Sequence, residues 1–463
     1  METNNQQQPN FPNQPWGAPR KDYGFIAKVL ILGLISVGLL IPLFMTSGLV
    51  SERQNYAEGA VSEVSTKWGG EQVILSPIIA VPYTIVRKEG RDSIYDQKYM
   101  YFLPAKLDAK AQVDVETRKR GIYKVPVYNT EATLAGEWDL ATFTENLSPE
   151  LIQALRFHEA KILLGVSDLK GFKSHAEVIV DGTSYTLRPV NEKSIDYEVQ
   201  TGDLYGYTEG RSLKVLVADR PMQLMPEGKI SFSTQLSFSG SQQLSIATIG
   251  SSTSIDMTSN WSDPSFGGYF LPESSEIGKD GFTAHWQTVD YNRGYDNVLS
   301  EEELPTAIQN SPGVKFQQLV SEYTQTDRSI KYGILIILLS FVSIFFIELS
   351  LRKLNVNVNV FHYLLVGLAL VLFYTLLLSM SEFIGFGWAY LVASVMTIGL
   401  VGLFFRSILP PGKHSLILVG ILFFLYLLIY LLIQTTTYTL LIGSFGLFFI
   451  LAMVMYVSKK LIK

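Results

Sequence analysis

Cysteine is absent from this sequence. Its absence excludes a disulfide framework, thiolate metal sites, a cysteine nucleophile and a lipidated N-terminal cysteine. Histidine is scarce, with five in 463 residues. Three of them, His158, His175 and His285, fall in the polar middle of the chain. No two histidines have i, i+4 spacing, and Phe157-His158-Glu159-Ala160 begins like a zincin motif without its second histidine. A polar helix face is the plainer reading of that stretch. The chain also lacks a G-x-S-x-G elbow, a phosphate-binding loop and a dinucleotide fingerprint. Its 42 Asp/Glu permit a glycosidase-like carboxylate pair that the sequence does not place, and a solvated acidic surface is the plainer expectation. On these grounds no catalytic residue, metal site or cofactor is expected.

Positive charge is in deficit, but unevenly. The formal net charge is −5. Residues 51–328 hold 26 Lys/Arg against 38 Asp/Glu, a balance of −12, and the rest holds 11 against 4, a balance of +7. An acidic polar region beside a basic apolar one argues against nucleic acid as a partner, which calls for a basic patch on a folded domain.

Long apolar runs dominate what is present. A membrane span needs about 20 apolar residues, because the hydrocarbon core is roughly 30 Å thick. Six stretches qualify: 24–45, 330–351, 361–380, 384–405, 415–433 and 437–457. None alternates with period two, so all are expected to be helices. The lipid bilayer is thus a predicted partner. Arg20, Lys21, Lys28, Arg352, Lys353, Arg406, Lys413, Lys459, Lys460 and Lys463 flank these spans. Six crossings in order put all ten on one face, with only Lys331 on the other. The positive-inside rule then predicts cytoplasmic termini and an extracytoplasmic middle.

The first apolar run exceeds a signal-peptide core and lacks an A-x-A site, so it reads as an uncleaved anchor. Helical spacing continues beyond it, with Ala57, Ala60, Val61, Val64 and Trp68 on one stripe and Glu63 four residues before Lys67. That predicts a stalk over Ser51–Trp68, matched by a second at Gln317–Arg328. Residues 1–23 are Gln/Asn/Pro-rich and predict a disordered tail.

Between anchor and second span, 46–329 reads mainly as strand. Val178–Leu187 carries Asp181-Gly182 between β-rich arms, a hairpin signal. Ile230, Phe232, Leu236 and Phe238 alternate with polar residues, as in a strand with one dry face. Pro77 and Pro82 predict that Val73–Val86 lies at an edge or in irregular extended chain. Ser148-Pro149-Glu150 opens a helix expected to carry Leu151, Leu155 and Ile162. Ser300 and Glu303 match a capping box, with Pro305 and Pro312 keeping that helix short. The predicted fold is a polytopic helical membrane protein of six spans, one plus five. A large mainly-β, antiparallel sandwich-like domain is inserted after the first span.

Two groups of residues are candidate sites. Glu348, His362 and Glu382 are ionisable groups near span ends. Glu348 lies one turn before Arg352 and is expected to pair with it, while an ion or proton path is the functional reading. Ala389-x-x-x-Ala393 with Gly399, Gly402, Gly443 and Gly446 predicts close helix contacts. The second group is the aromatic, turn-rich stretch Asn260–Pro272, with Trp261, Pro264, Phe266, Tyr269 and Phe270. It reads as an exposed recognition loop or as a corner packed on its own rings.

Several of these segments carry a family resemblance. They are Ser51-Glu52-Arg53, Val64-x-x-x-Trp68-Gly69, Asn260–Pro272, Arg328-x-x-Lys331-Tyr332-Gly333 and Glu348. His362–Ala369, Leu377–Phe386 and Ala389-Tyr390-Leu391 complete the set. Through them the chain resembles the CreD inner-membrane proteins of Gram-negative bacteria from about Lys21 onward. The Asn/Gln/Pro-rich head departs from that pattern. The resemblance implies an inner-membrane location, a periplasmic middle domain and a link to envelope integrity and to stress such as β-lactams. It supplies no catalytic or ligand-binding residues. The expected function is therefore non-enzymatic envelope maintenance through binding of an unknown envelope component or protein. An enzyme or transporter of envelope glycan or lipid is the alternative.

Overall fold

Pro42 has no N–H to offer the carbonyl of Gly38, so the first helix cannot run through this point undisturbed. It breaks at Leu39 into α1 (Tyr23–Gly38) and α2 (Leu40–Trp68). The computed structural model describes residues 23–89, 92–145, 147–200, 208–222, 224–225, 228–309, 311–316, 321–351, 358–410 and 413–435, with 441, 443–446, 448, 452 and 455 beyond them. The chain divides into two compact units, Met1–Gln54 with Ser321–Lys463, and Asn55–Val320. The expected tail at 1–23 lies almost wholly outside the described residues.

The second unit is mainly sheet. Its first elements are β1 (Gln72–Glu89), β2 (Asp92–Phe102), β3 (Lys106–Arg120) and β4 (Tyr123–Asp139), followed by short helices α3 (Leu140–Glu145) and α4 (Pro149–Ala154). Next come β5 (Lys161–Val166), β6 (Glu177–Val180), β7 (Thr183–Gln200), β8 (Thr208–Ala218), β9 (Lys229–Ser241) and β10 (Gln243–Ile246). The remainder is β11 (Ser252–Ser259), β12 (Ser265–Gly267), β13 (Ser274–Gly278), β14 (Gly281–Val289), β15 (Val298–Leu299), α5 (Leu304–Gln309) and β16 (Gly313–Lys315). The hydrogen-bonded order is β12-β16-β10-β1-β5-β8-β7-β6-β9-β4-β3-β11-β14-β13, with β2 and β15 branching from β1.

Asp181 and Gly182, at φ 44° and 81°, form the two-residue turn between β6 and β7, where Val180 faces Thr183. Positive φ at both positions suits the twist of the hairpin and is what Asp-Gly supplies. β7 then pairs with β6 up to Thr186 and with β8 from Leu187 onward. One strand thus serves two sheet regions, a common way for a sheet to turn a corner. The alternation expected in β9 is present: Phe232, Leu236 and Phe238 are buried, and Ile230 is partly so. Trp138, Trp286, Tyr128, Phe102 and Phe316 fill the core. The Tyr128 hydroxyl donates to the Gln243 carbonyl at 2.7 Å, and burial holds this phenol well above its ordinary pKa.

Two expectations are corrected here. The sheet is mixed, because β1 runs parallel to β10 and β3 parallel to β11. β1 has β2, β5 and β10 as neighbours, but only Ile74, Ile79 and Ala80 pair on both sides, so most of the strand is irregular or one-sided, as its prolines predict. Its prolines sit where no ladder bond is lost: Pro77 lies in the register shift between Leu75 and Ile78, and Pro82 lies past the last pairing with β5 at Ala80. The helix capped by the Ser148 hydroxyl ends at Ala154. Ile162 belongs to β5, and Phe157–Glu159 is a single 3₁₀ turn.

The other unit continues with α6 (Ser321–Lys331), α7 (Gly333–Ser350), α8 (Val360–Ile384), α9 (Phe386–Ile408) and α10 (His414–Gln434). Among the described residues, five helices are long and apolar enough to cross a membrane: Ile26–Trp68 and α7 to α10. Most of the sixth expected span, 437–457, lies outside the described residues, as do 317–320 of the second expected stalk. Among the expected small-residue contacts, Ala389 and Ala393 are fully buried. A Cβ at Gly402 would lie 2.6 Å from Val419, whereas Gly399 faces open space.

Candidate functional site

Three helices of the helical unit bring their polar groups to one point. Lys28 on α1 forms an ion pair with Glu348 on α7, and its ammonium also donates to the Val358 carbonyl at 2.7 Å. The Tyr363 hydroxyl, from the first turn of α8, donates to the other Glu348 oxygen at 2.9 Å. Glu348 is only 8% exposed. Such a charge is tolerable in an apolar interior only when paired and hydrogen-bonded, which is the arrangement found. The expected partner Arg352 lies outside the described residues. Glu348 is the centre of a buried network.

From this pair the first helix runs antiparallel to α7 and α6. A Cβ at Gly367 on α8 would collide with Leu39 and come within 3.1 Å of Phe341. A Cβ at Gly333 would lie 2.9 Å from both Leu43 methyls and 3.2 Å from the Tyr374 ring. Both leucines therefore seat in notches that only glycine leaves open. Further along, the Ser47 hydroxyl donates to Asp327 at 3.2 Å, and Asp327 pairs with Lys331 at 2.8 Å. Sequence reasoning missed Lys28 as a partner and both glycine notches.

Glu382 lies in the last turn of α8, not in an interhelical turn. The reversal falls at Gly385, with φ 77°. Its carboxylate accepts from the Tyr323 hydroxyl at 3.0 Å. His362 packs edge-on against Phe404, with ring centroids 5.6 Å apart. Its Nδ1 is buried and finds no partner among the described residues. The three ionisable residues singled out in the sequence are therefore held by different partners: Lys28 and Tyr363, Phe404, and Tyr323.

In the sheet unit, Asn260–Pro272 is anchored at its start. Asn260 donates to Asp114 at 2.6 Å and accepts from the Val115 amide at 2.8 Å. Phe266 meets Phe282 and Trp286 edge-on at 5.6 and 5.8 Å, and Trp286 donates to the Phe270 carbonyl at 3.3 Å. Trp261 turns its indole N–H onto the Asp263 carbonyl at 2.8 Å, and Pro264 is half-buried. Tyr269 and Leu271 project outward, 67% and 72% exposed. The stretch is a packed corner with two exposed apolar side chains at its tip.

The same unit grips the end of α2. Arg120 makes two bonds to Glu63, at 2.9 and 3.0 Å, and Arg118 stacks 4.4 Å from the Trp68 ring. The Ser241 hydroxyl donates to the Gly69 carbonyl and lies within hydrogen-bond distance of the Ser65 hydroxyl, both at 2.8 Å. His285 pairs with Asp256 at 2.7 Å across β11 and β14, and His158 lies 3.5 Å from Glu159.

Apolar helices with buried, mutually paired charges, joined in one chain to a mainly-β unit, define a polytopic membrane protein. The model of the family described as "Inner membrane protein CreD" matches residues 24–462. The chain belongs to the CreD family. It is 30% identical over 437 residues to the Inner membrane protein CreD of Escherichia coli (strain K12), covering 91% of this chain and 90% of that protein.

Proposed function

We propose that this chain is a non-enzymatic inner-membrane protein of Gram-negative type that maintains cell-envelope integrity and takes part in the response to envelope stress such as β-lactams. Both termini are cytoplasmic, 46–329 is periplasmic, and the sheet unit binds an envelope component or protein. The observation that carries this reading is the pairing of the buried Glu348 with Lys28 and Tyr363. Lys28 and Tyr363 each hold one oxygen of Glu348, and Glu382 is held by Tyr323. Charges used this way hold helices together, whereas a substrate site turns them towards a ligand. Full-length family membership supports the location and the envelope role. α2 supports a relay, because one helix supplies Leu43 to the notch at Gly333 and Trp68 to the clamp on Arg118. Photo-crosslinking residues placed across the sheet unit in native cells, Tyr269 and Leu271 included, test the binding claim. Recurrent adducts at one patch support it, and adducts scattered without preference sink it.

A second reading, a membrane-embedded enzyme or transporter of envelope glycan or lipid, draws on the presence of Lys28 and Glu348 within apolar helices. Complementation by Glu348→Gln and Glu382→Gln separates the two. Full activity of both variants removes the version that moves protons through these carboxylates.

A further inference from the structure

The chain passes between its two units at 54–55 and at 320–321. The helix at each crossing is interrupted within the helical unit: α2 is parted from α1 at Leu39, and α6 from α7 at Tyr332. The first break follows from the missing N–H of Pro42. At the second, the Tyr332 N–H donates to the Ser329 carbonyl at 3.2 Å, three residues back. The Tyr332 carbonyl accepts from both Leu335 and Ile336, at 3.1 and 3.3 Å. Such a pinch of three-residue spacing between two helical stretches often marks a hinge. The two breaks touch. Leu43, one residue past Pro42, seats on Gly333, one residue past Tyr332, where a Cβ would lie 2.9 Å from both leucine methyls.

Packing differs on the two sides of this point. On the side of α1 and α7 the contacts interlock. Lys28 pairs with Glu348, Leu39 fills the notch at Gly367, and α7 buries Ile336, Ile337, Phe341 and Ile344. On the side of α2 and α6 they are small and polar. The buried face of α6 is Tyr323, Thr326, Ser329 and Ile330, with its one aliphatic residue at the hinge end. The Ser47 hydroxyl ties α2 to Asp327 on α6 at 3.2 Å. At the other end of α6, the Tyr323 hydroxyl fastens it to Glu382 on α8 at 3.0 Å. Interdigitated apolar side chains resist displacement, whereas a shallow polar face slides with little loss of packing.

We propose that α6 and residues 40–54 of α2 form one arm that pivots at the paired breaks against α1, α7 and α8–α10, with the Tyr323–Glu382 bond as the latch that holds the arm on α8. The Ser47–Asp327 contact makes the two helices of the arm move together. The Lys28–Glu348 pair keeps α1 and α7 fixed beneath them. Use of the arm as a relay rests on the function proposed above, whereas the motion belongs to the helical unit alone.

The absence of cysteine lets pairs of introduced cysteines carry spin labels in the purified full chain in lipid nanodiscs, with no envelope component present. Ser51→Cys with Phe383→Cys reports on the arm against α8, and Ile26→Cys with Leu403→Cys reports on α1 against α9, all at exposed positions. Pulsed electron–electron distance measurements are expected to show the Ser51–Phe383 distance shifted by several ångströms in Tyr323→Phe, with the Ile26–Leu403 distance unchanged. Glu382→Ala, which cuts the same bond from the other side, is expected to give the same shift. Pro42→Ala returns the missing N–H and is expected to reduce that shift. An unmoved Ser51–Phe383 distance in both latch variants overturns the proposal. So does a shift of both distances together, which is general loosening of the unit. A shift that Pro42→Ala leaves at full size places the pivot elsewhere and overturns the paired hinge. Crosslinking in cells at Tyr269 and Leu271 reads the binding function independently of each of these results.

Discussion

Lys28 and Glu348 are 320 residues apart in the chain and form one buried ion pair. Their attraction offsets a desolvation cost that neither residue can bear alone. Glu348→Gln or Lys28→Met is therefore expected to lower stability by about 3–5 kcal/mol, as removal of one partner from a buried pair does. The double variant Lys28→Met/Glu348→Leu is expected to recover much of the loss. Thermal unfolding in detergent reads both, and equal Tm values for single and double variants would show that the pair is not coupled.

The notch at Gly367 leads to a steric prediction. Gly367→Ala sets a methyl against Leu39 and Phe341 and is expected to destabilise by about 1–3 kcal/mol through overpacking. Leu39→Ala in the same chain should give back part of that by making room. If the first helix were removed after synthesis, Gly367→Ala would have little effect, so this series also reports on retention of the anchor in cells.

Glu303 gives a dependence on acidity. Its carboxylate accepts from the Ser300 amide and hydroxyl, both at 2.8 Å, and these bonds lower its pKa below the ordinary 4.5. A depressed folded-state pKa means the contribution is complete above 4.5 and is lost as pH falls through the lower folded value. The carboxylate is largely solvent-exposed, so the effect is small and local. Hydrogen exchange at the start of α5 should quicken as pH drops below 4.5, after correction for intrinsic rates. Glu303→Gln should show the quicker rate already at neutral pH.

At the aromatic corner, anchoring and exposed residues should separate. Phe266→Ala removes two edge contacts and is expected to cost about 2 kcal/mol. Tyr269→Ala and Leu271→Ala, whose side chains face outward, should leave Tm within about 0.5 kcal/mol equivalents of the parent. Loss of crosslinked adducts in the latter two at unchanged Tm would place the contact at this tip.

Features written in short windows were legible in the sequence. The apolar runs, the Asp181-Gly182 turn, the Ser148 cap and the dry face of β9 each depend on neighbours within a few residues. The irregular, one-sided run of β1 was legible too, although a proline reports only that one amide is missing. Whether that amide would face a neighbour depends on where β5 stops pairing, at Ala80. Lys28 was not legible as a partner of Glu348, because folding brings it in from another helix. Gly333 and Gly367 carry no local mark that tells them from Gly399, because the partner leucines lie hundreds of residues away. The corner at Asn260–Pro272 was left between two readings because its partners Phe282 and Trp286 sit on a later strand.

The long interval between Lys28 and Glu348 also has a meaning in time. At a synthesis rate of about 5–20 residues per second, the 320 residues between them take roughly 16–64 s to emerge. Throughout that interval the first helix exists before α7, α8 and the notches that receive it. It must be held by the insertion machinery or the lipid while the whole sheet unit is made. Assembly of the helical unit is thus a late event in biogenesis, and a chain stalled before Glu348 would present its first helix to quality-control proteases with its cation still without a carboxylate.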